Sequence, residues 1–232
     1  MAKYKHIFFD LDRTLWDFET NSSATIQELY DKHNLRLRGI HSFEKFIASY
    51  HKINDQLWGY YRKGYIDKST LRGKRFYSTL LEFGVDDFYL AEVMSEQYIK
   101  QCPYQTYLLP NAQEVLLELK NKYQLHIITN GFDEVQHIKI ENSGLKRYFK
   151  QVITSERANA TKPDKKMFDY SLNVAGANRQ ESLMVGDQLE LDILGAKNSG
   201  IDQAYFNPSK AEHSEEITYE IVGDFEADPS QN

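Results

Sequence analysis

Cysteine is almost missing from this chain: Cys102 is the only one in 232 residues. That excludes an intramolecular disulfide and a cysteine-based zinc centre, and a reducing compartment is expected. No segment approaches the ~18 uninterrupted apolar residues of a membrane-spanning helix, and the first residues run straight into Ile7-Phe8-Phe9 without the hydrophobic stretch of a signal peptide. A soluble, cytoplasmic protein is predicted. Positive charge is also short. A formal net charge of -6 gives no electrostatic footprint for duplex nucleic acid or an anionic membrane surface, so the expected partner is a small molecule. The seven histidines lack HExxH spacing, and neither a GxSxG elbow nor a GxGxxG fingerprint occurs, so acyl hydrolysis and dinucleotide chemistry drop out.

Short β-rich apolar runs recur at Ile7 to Phe9, Leu125 to Ile128, Gln151 to Ile153 and Leu183 to Val185, with two more around Ala204 to Phe206 and Tyr219 to Val222. Between them lie helical patterns: Ala112 to Tyr123, Phe132 to Asn142 with Val135 and Ile138 on its apolar face, Lys166 to Ala175, and Leu189 to Asn198. Runs of three to five apolar residues alternating with helices predict a doubly wound α/β domain with a parallel sheet covered on both faces. Between Asp17 and about Pro103 the strand signal disappears into amphipathic helical patterns. The expected organisation is therefore a catalytic core over 1–16 and 104–232, with a helical insert over 17–103 after the first strand. Tyr50, Trp58, Tyr60, Tyr61, Tyr65, Phe76 and Tyr77 are expected mainly to form that insert's own small core, and the acidic tail "GDFEADPSQN" is expected to fray.

In open α/β sheets ligands sit beyond the carboxyl ends of the strands, so the residues that follow each run carry the functional question. Asp10 and Asp12 follow the first run, in "HIFFDLDRTLW". Thr129, Asn130 and Gly131 follow the second, Lys162 the third at some distance, and Gly186 and Asp187 the fourth, with Asp192 five residues beyond Asp187. Each has a bland explanation: Asn130-Gly131 is a favoured hairpin dipeptide, and a lone lysine is usually a solvated one. Their recurrence after successive strands is harder to explain that way. Three acids, a hydroxyl, an amide and an ammonium converging on one rim suit phosphoryl transfer through an aspartyl-phosphate. A carboxylate attacking a phosphate ester meets like-charge repulsion, which a divalent cation on Asp10 and Asp187 would relieve. Oxygen ligands without a cysteine or histidine cluster favour Mg²⁺. Thr129 and Asn130 would offer donors to phosphate oxygens, Lys162 a cation, and Asp12 a proton for the departing ester oxygen.

These residues, in this order, resemble the haloacid dehalogenase-like hydrolase superfamily. The matching motifs are "DLDRT" from Asp10, "TNG" at Thr129 to Gly131, Lys162, and "GDQLELD" from Gly186 to Asp192. The resemblance implies a Rossmann-like core with a helical cap. It implies Asp10 as nucleophile, Asp12 as acid/base with its backbone carbonyl on the metal, Asp187 as a metal ligand, and Asp192 orienting metal-bound water or Lys162. Because a halide leaving group needs no proton, Asp12 favours a phosphatase over a dehalogenase. The stretches "NDQLWGYYRKGYIDKSTLRGKRF" and "ITNGFDEVQHIKIENSGLKRYF" look more closely like the capped pyrimidine 5′-nucleotidases, with Trp58, Tyr61 or Arg62 as candidates to reach a base or sugar. The alternatives are a sugar-phosphate phosphatase, a β-phosphoglucomutase-like mutase and a phospho-accepting receiver domain. Either a monomer or a homodimer is expected.

Overall fold

Six parallel strands form one sheet in the computed structural model, which describes residues 3–225. They are β1 (His6–Phe9), β2 (Gln124–Thr129), β3 (Phe149–Thr154), β4 (Ser182–Gly186), β5 (Asp202–Phe206) and β6 (Tyr219–Ile221). Their spatial order is β3-β2-β1-β4-β5-β6. β1 is buried along its whole length, as a strand covered on both faces must be. The chain adds β2 and β3 on one side of β1, then crosses back to place β4 on the other, so the ends of β1 and β4 flank the topological switch point.

Nine α-helices accompany the strands among the described residues: α1 (Phe18–Lys32), α2 (Phe43–Arg62), α3 (Lys68–Glu82), α4 (Phe88–Gln101), α5 (Ala112–Leu119), α6 (Asp133–Asn142), α7 (Ser155–Ala158), α8 (Lys165–Ala175) and α9 (Gly195–Asn198). The chain separates into two compact units. One comprises the described residues up to Phe18 and from Thr106 onward; the other is Glu19–Gln105. In the first, Phe8, Ile128, Ile153 and Met184 project from four adjacent strands onto Met167, Phe168 and Leu172 of α8 and Ala196 of α9. Burying each of the larger side chains contributes about 1.5–3 kcal/mol. The second unit is helical. Ser42, Asp67 and Asp87 cap α2, α3 and α4, each side chain accepting from a backbone N–H three residues on. Its core is aromatic, with Tyr50, Phe76 and Tyr98 in mutual ring contact at 4.9 to 5.7 Å, whereas Tyr60 and Tyr65 are exposed.

Three details differ from the expected elements. The helix after Ala112 stops at Leu119. The one expected over 189–198 is a π-helical turn, Leu189–Leu194, followed by α9. In the tail, Phe225 is buried and stacks on Phe206 at 4.4 Å; 226–232 lie outside the described residues. No helix among the described residues is long and apolar enough to cross a membrane.

One buried polar pair gives the core a pH dependence. His6 Nδ1 lies 3.1 Å from His126 Nε2, across β1 and β2. Burial, and then the neighbouring His6, push His126 from 6.5 down to about 4. The folded state thus keeps this ring neutral while the unfolded chain protonates it. Its contribution to stability is complete above pH 6.5 and is lost as pH falls towards 4, at about 1.4 kcal/mol per unit. Asp10 titrates in the opposite sense across this interval, so the comparison is with His126→Phe: the stability gap between wild type and variant should shift against wild type at that slope in chemical denaturation between pH 6.5 and 4.5. A gap constant with pH would remove His126 as the cause.

Candidate active site

β1 continues for one residue beyond its last ladder position: the Asp10 backbone N–H donates to Val185 O at 2.9 Å, tying the residue to β4. Its side chain is thereby held at the switch point, in a residue only 7 % exposed. The chain then folds back sharply. Leu15 and Trp16 both donate to Leu11 O at 2.9 Å, and Arg13 takes the left-handed region with φ 67°. This turn carries Thr14 to the far side, where its hydroxyl donates to Asp187 Oδ1 at 3.2 Å.

At the end of β2, Thr129 Oγ1 accepts from Gly131 N at 3.1 Å and from Gln136 Nε2 at 2.7 Å. With both lone pairs taken, the hydroxyl's proton is what it has left to give an incoming anion. A β-carbon on Gly131 would collide with the Gln136 side chain, so the glycine admits this contact. The Asn130 side chain, expected to face a phosphate, instead grips the lysine loop: Oδ1 accepts from Lys162 N at 2.8 Å and Nδ2 donates to Lys162 O at 3.0 Å. That clamp is how a lysine several residues beyond β3 reaches the rim.

Lys162 is 2 % exposed, and its ammonium spends all three N–H bonds inside the protein: on Asp10 Oδ1 at 2.5 Å, Asp192 Oδ1 at 2.5 Å and Ile128 O at 3.0 Å. Burial works against the charge, but the two carboxylates outweigh it and hold Lys162 above the ordinary lysine range. Asp192 is aligned by a second bond, Oδ2 accepting from Gln188 N at 3.0 Å. Here too a glycine makes room, because a β-carbon on Gly186 would run into the Asp192 carboxylate.

Asp10, Asp187 and Asp192 each present one oxygen within 4.8 Å of the others. Burial pushes Asp10 up; Lys162 pulls it back, Asp192 and Asp12 push again, and the result is about 7. Burial also raises Asp187 well above the carboxylate range, with Asp192 and Asp10 adding to the rise against Arg13 and Lys162. Carboxyl groups raised by burial and by one another fit a divalent cation, whose charge would offset theirs. Asp10 and Asp187 are the side chains that could hold it, with Asp192 beside them already engaged by Lys162 and by Gln188 N.

Asp12 sits on the turn with a donor on each oxygen. Lys139 Nζ reaches Oδ1 at 2.5 Å and Gln136 Nε2 reaches Oδ2 at 2.9 Å, both from α6. Neither residue stands out in the sequence, and Thr14 enters only as the last residue of the "DLDRT" motif, without a role. The expected apolar face of α6, Val135 and Ile138, is only half-buried, while Gln136, Lys139 and Ile140 are buried. The usable signal was that Gln136 and Lys139 are themselves three apart on one helical stripe. Trp58, Tyr61 and Arg62 are half-buried in the helical unit, the first two in edge contact at 5.6 Å.

Known proteins resemble this chain over most of its length. A family profile described as haloacid dehalogenase-like hydrolase matches residues 4–200. Pyrimidine 5′-nucleotidase YjjG of Escherichia coli (strain K12) is 34 % identical, over 93 % of this chain and 91 % of that protein. Pyrimidine 5′-nucleotidase PynA of Streptococcus pneumoniae is 31 % identical, over 94 % and 91 %. The crystal structure of the putative HAD-hydrolase YfnB from Bacillus subtilis, described as bound to magnesium, superposes with a TM-score of 0.85 at 26 % identity, covering 96 % of each chain.

Proposed function

This chain belongs to the haloacid dehalogenase-like hydrolases, and on that footing we propose that it cleaves phosphoric monoesters through an aspartyl-phosphate on Asp10, with pyrimidine nucleoside 5′-monophosphates as substrates. The observation that carries the reading is the contact of Lys162 with Asp10 at the switch point, beside a second acid with donors on both oxygens. The substrate class comes from the two nucleotidases, and the choice of magnesium from the YfnB structure and the oxygen-only donor set. When bound, the cation supplies positive charge that offsets repulsion between Asp10 and the phosphate.

An Asp10 oxygen attacks phosphorus as the ester P–O bond breaks, and the leaving oxygen takes the bond's electron pair together with a proton from Asp12. Asp12, now a carboxylate, accepts a proton from the water that attacks the phosphorylated Asp10 at phosphorus. Inorganic phosphate leaves and both acids return to their starting states. Lys162 fixes the Asp10 oxygen and favours its charged form before attack; as that oxygen becomes esterified, the ammonium faces the phosphoryl oxygens instead. Asp192 and Asn130 hold the lysine in place, and Thr129 donates its hydroxyl proton. The helical unit serves as the cap, offering Trp58, Tyr61 and Arg62 to the base or sugar.

The test is phosphate release across nucleoside monophosphates and sugar phosphates, with magnesium or with a chelator. Uridine and thymidine monophosphates should turn over fastest, and the chelator should abolish release. Sugar phosphates ahead by tenfold would remove the pyrimidine assignment but leave the phosphatase. Absence of release from every ester would remove both.

A further inference from the structure

A proton donor on a turn is useful only if it points at the right oxygen, and Asp12 lies on a turn rather than within a strand. Two residues of α6 hold it. Lys139 is 6 % exposed, and its ammonium sits 4.1 Å from the centre of the Trp16 ring and 6.0 Å from that of Phe18. Trp16 closes the same turn that carries Asp12. The ammonium is thus enclosed by aromatic faces on one side and by the Asp12 carboxylate on the other. Gln136 is fully buried, and the amide nitrogen that reaches Asp12 also reaches Thr129, linking the acid to the residue at the end of β2. Each Asp12 oxygen has its own donor, so the carboxyl plane is fixed as well as its position.

We propose that Lys139, with Gln136 beside it, is a positioning residue that aims the Asp12 carboxyl at the leaving-group oxygen; this rests on the phosphatase reading above. In the first half-reaction the P–O bond breaks, its electron pair stays on the leaving oxygen, and the Asp12 proton moves to that oxygen, leaving Asp12 as the carboxylate that two donors suit. Without Lys139 the carboxyl keeps one anchor and can turn away from the ester. Misplacement of a reacting group by about 1 Å costs on the order of 10²-fold in rate.

The leaving group separates aiming from mere structural support. An alkyl ester such as uridine monophosphate needs a proton on its departing oxygen; 2,4-dinitrophenyl phosphate expels a phenolate that needs none. In Lys139→Met, pre-steady-state phosphorylation by the alkyl ester should fall about 10²-fold. The phenolate burst from the aryl ester should fall less than about threefold, and its amplitude counts the folded sites. Lys139→Arg, which keeps the charge, should recover at least about tenfold of the alkyl-ester loss. Equal losses with both esters, or none with either, in a preparation with full burst amplitude would overturn the proposal. A burst amplitude near zero in both variants would overturn it too, making Lys139 a folding residue. Wild-type protein inactive on both esters would instead bring down the phosphatase reading, and this inference with it.

Discussion

Asp10→Asn should reduce turnover of phosphate esters by on the order of 10⁴- to 10⁶-fold, the range seen when an enzyme loses its nucleophile or the residue that activates it. The substitution keeps the shape of the side chain and the Lys162 contact geometry, but an amide oxygen does not form the acyl-phosphate. It also removes one of three crowded acids, two of which are raised first by burial and then by their acidic neighbours. Thermal unfolding should therefore stay within a few degrees of wild type, or rise. Steady-state kinetics alongside a melting curve decides: a folded variant with more than about a hundredth of wild-type activity would remove Asp10 from the role assigned to it.

Lys162→Met should have the largest effect on stability. The ammonium is the shared partner of Asp10 and Asp192, both at 2.5 Å inside the protein. Removing one partner of a buried ion pair leaves uncompensated charge and costs about 3–5 kcal/mol. For a chain of this size that corresponds to a melting temperature lower by on the order of 10 °C. Asp192→Asn in the same chain removes one stranded charge and should restore part of the melting temperature, while turnover stays lost. If Lys162→Met melts like wild type, the ion-pair network contributes nothing to folding. If it also turns over normally, its charge is not needed for the chemistry either.

The sheet and the placement of three proposed site residues at its rim are legible in the sequence because a parallel strand announces both itself and its end. Asp10 and Thr129 directly follow apolar runs and Asp187 follows one after a single glycine, and strand topology alone brings those ends together. Lys162 was readable by type but not by path, since what brings it to the rim is a non-local clamp, the Asn130 side chain on the lysine's own backbone. Gln136 and Lys139 were hidden for a different reason. Apolar periodicity finds the face of a helix that meets a core, and α6 buries polar groups because its inner face meets the site. The π-helical turn after β4 was likewise invisible: spacing of three and four residues does not register the wider turn around Asp192, where Ile193 N approaches Gln188 O at 3.4 Å.

Acid-quenching the enzyme during turnover of a ³²P-labelled nucleoside monophosphate, then mapping the labelled peptide, tests the central claim most directly. The label should lie on Asp10, appear and decay at rates that match turnover, and be absent from Asp10→Asn. Label on another residue, or none while phosphate is being released, would contradict a pathway through Asp10.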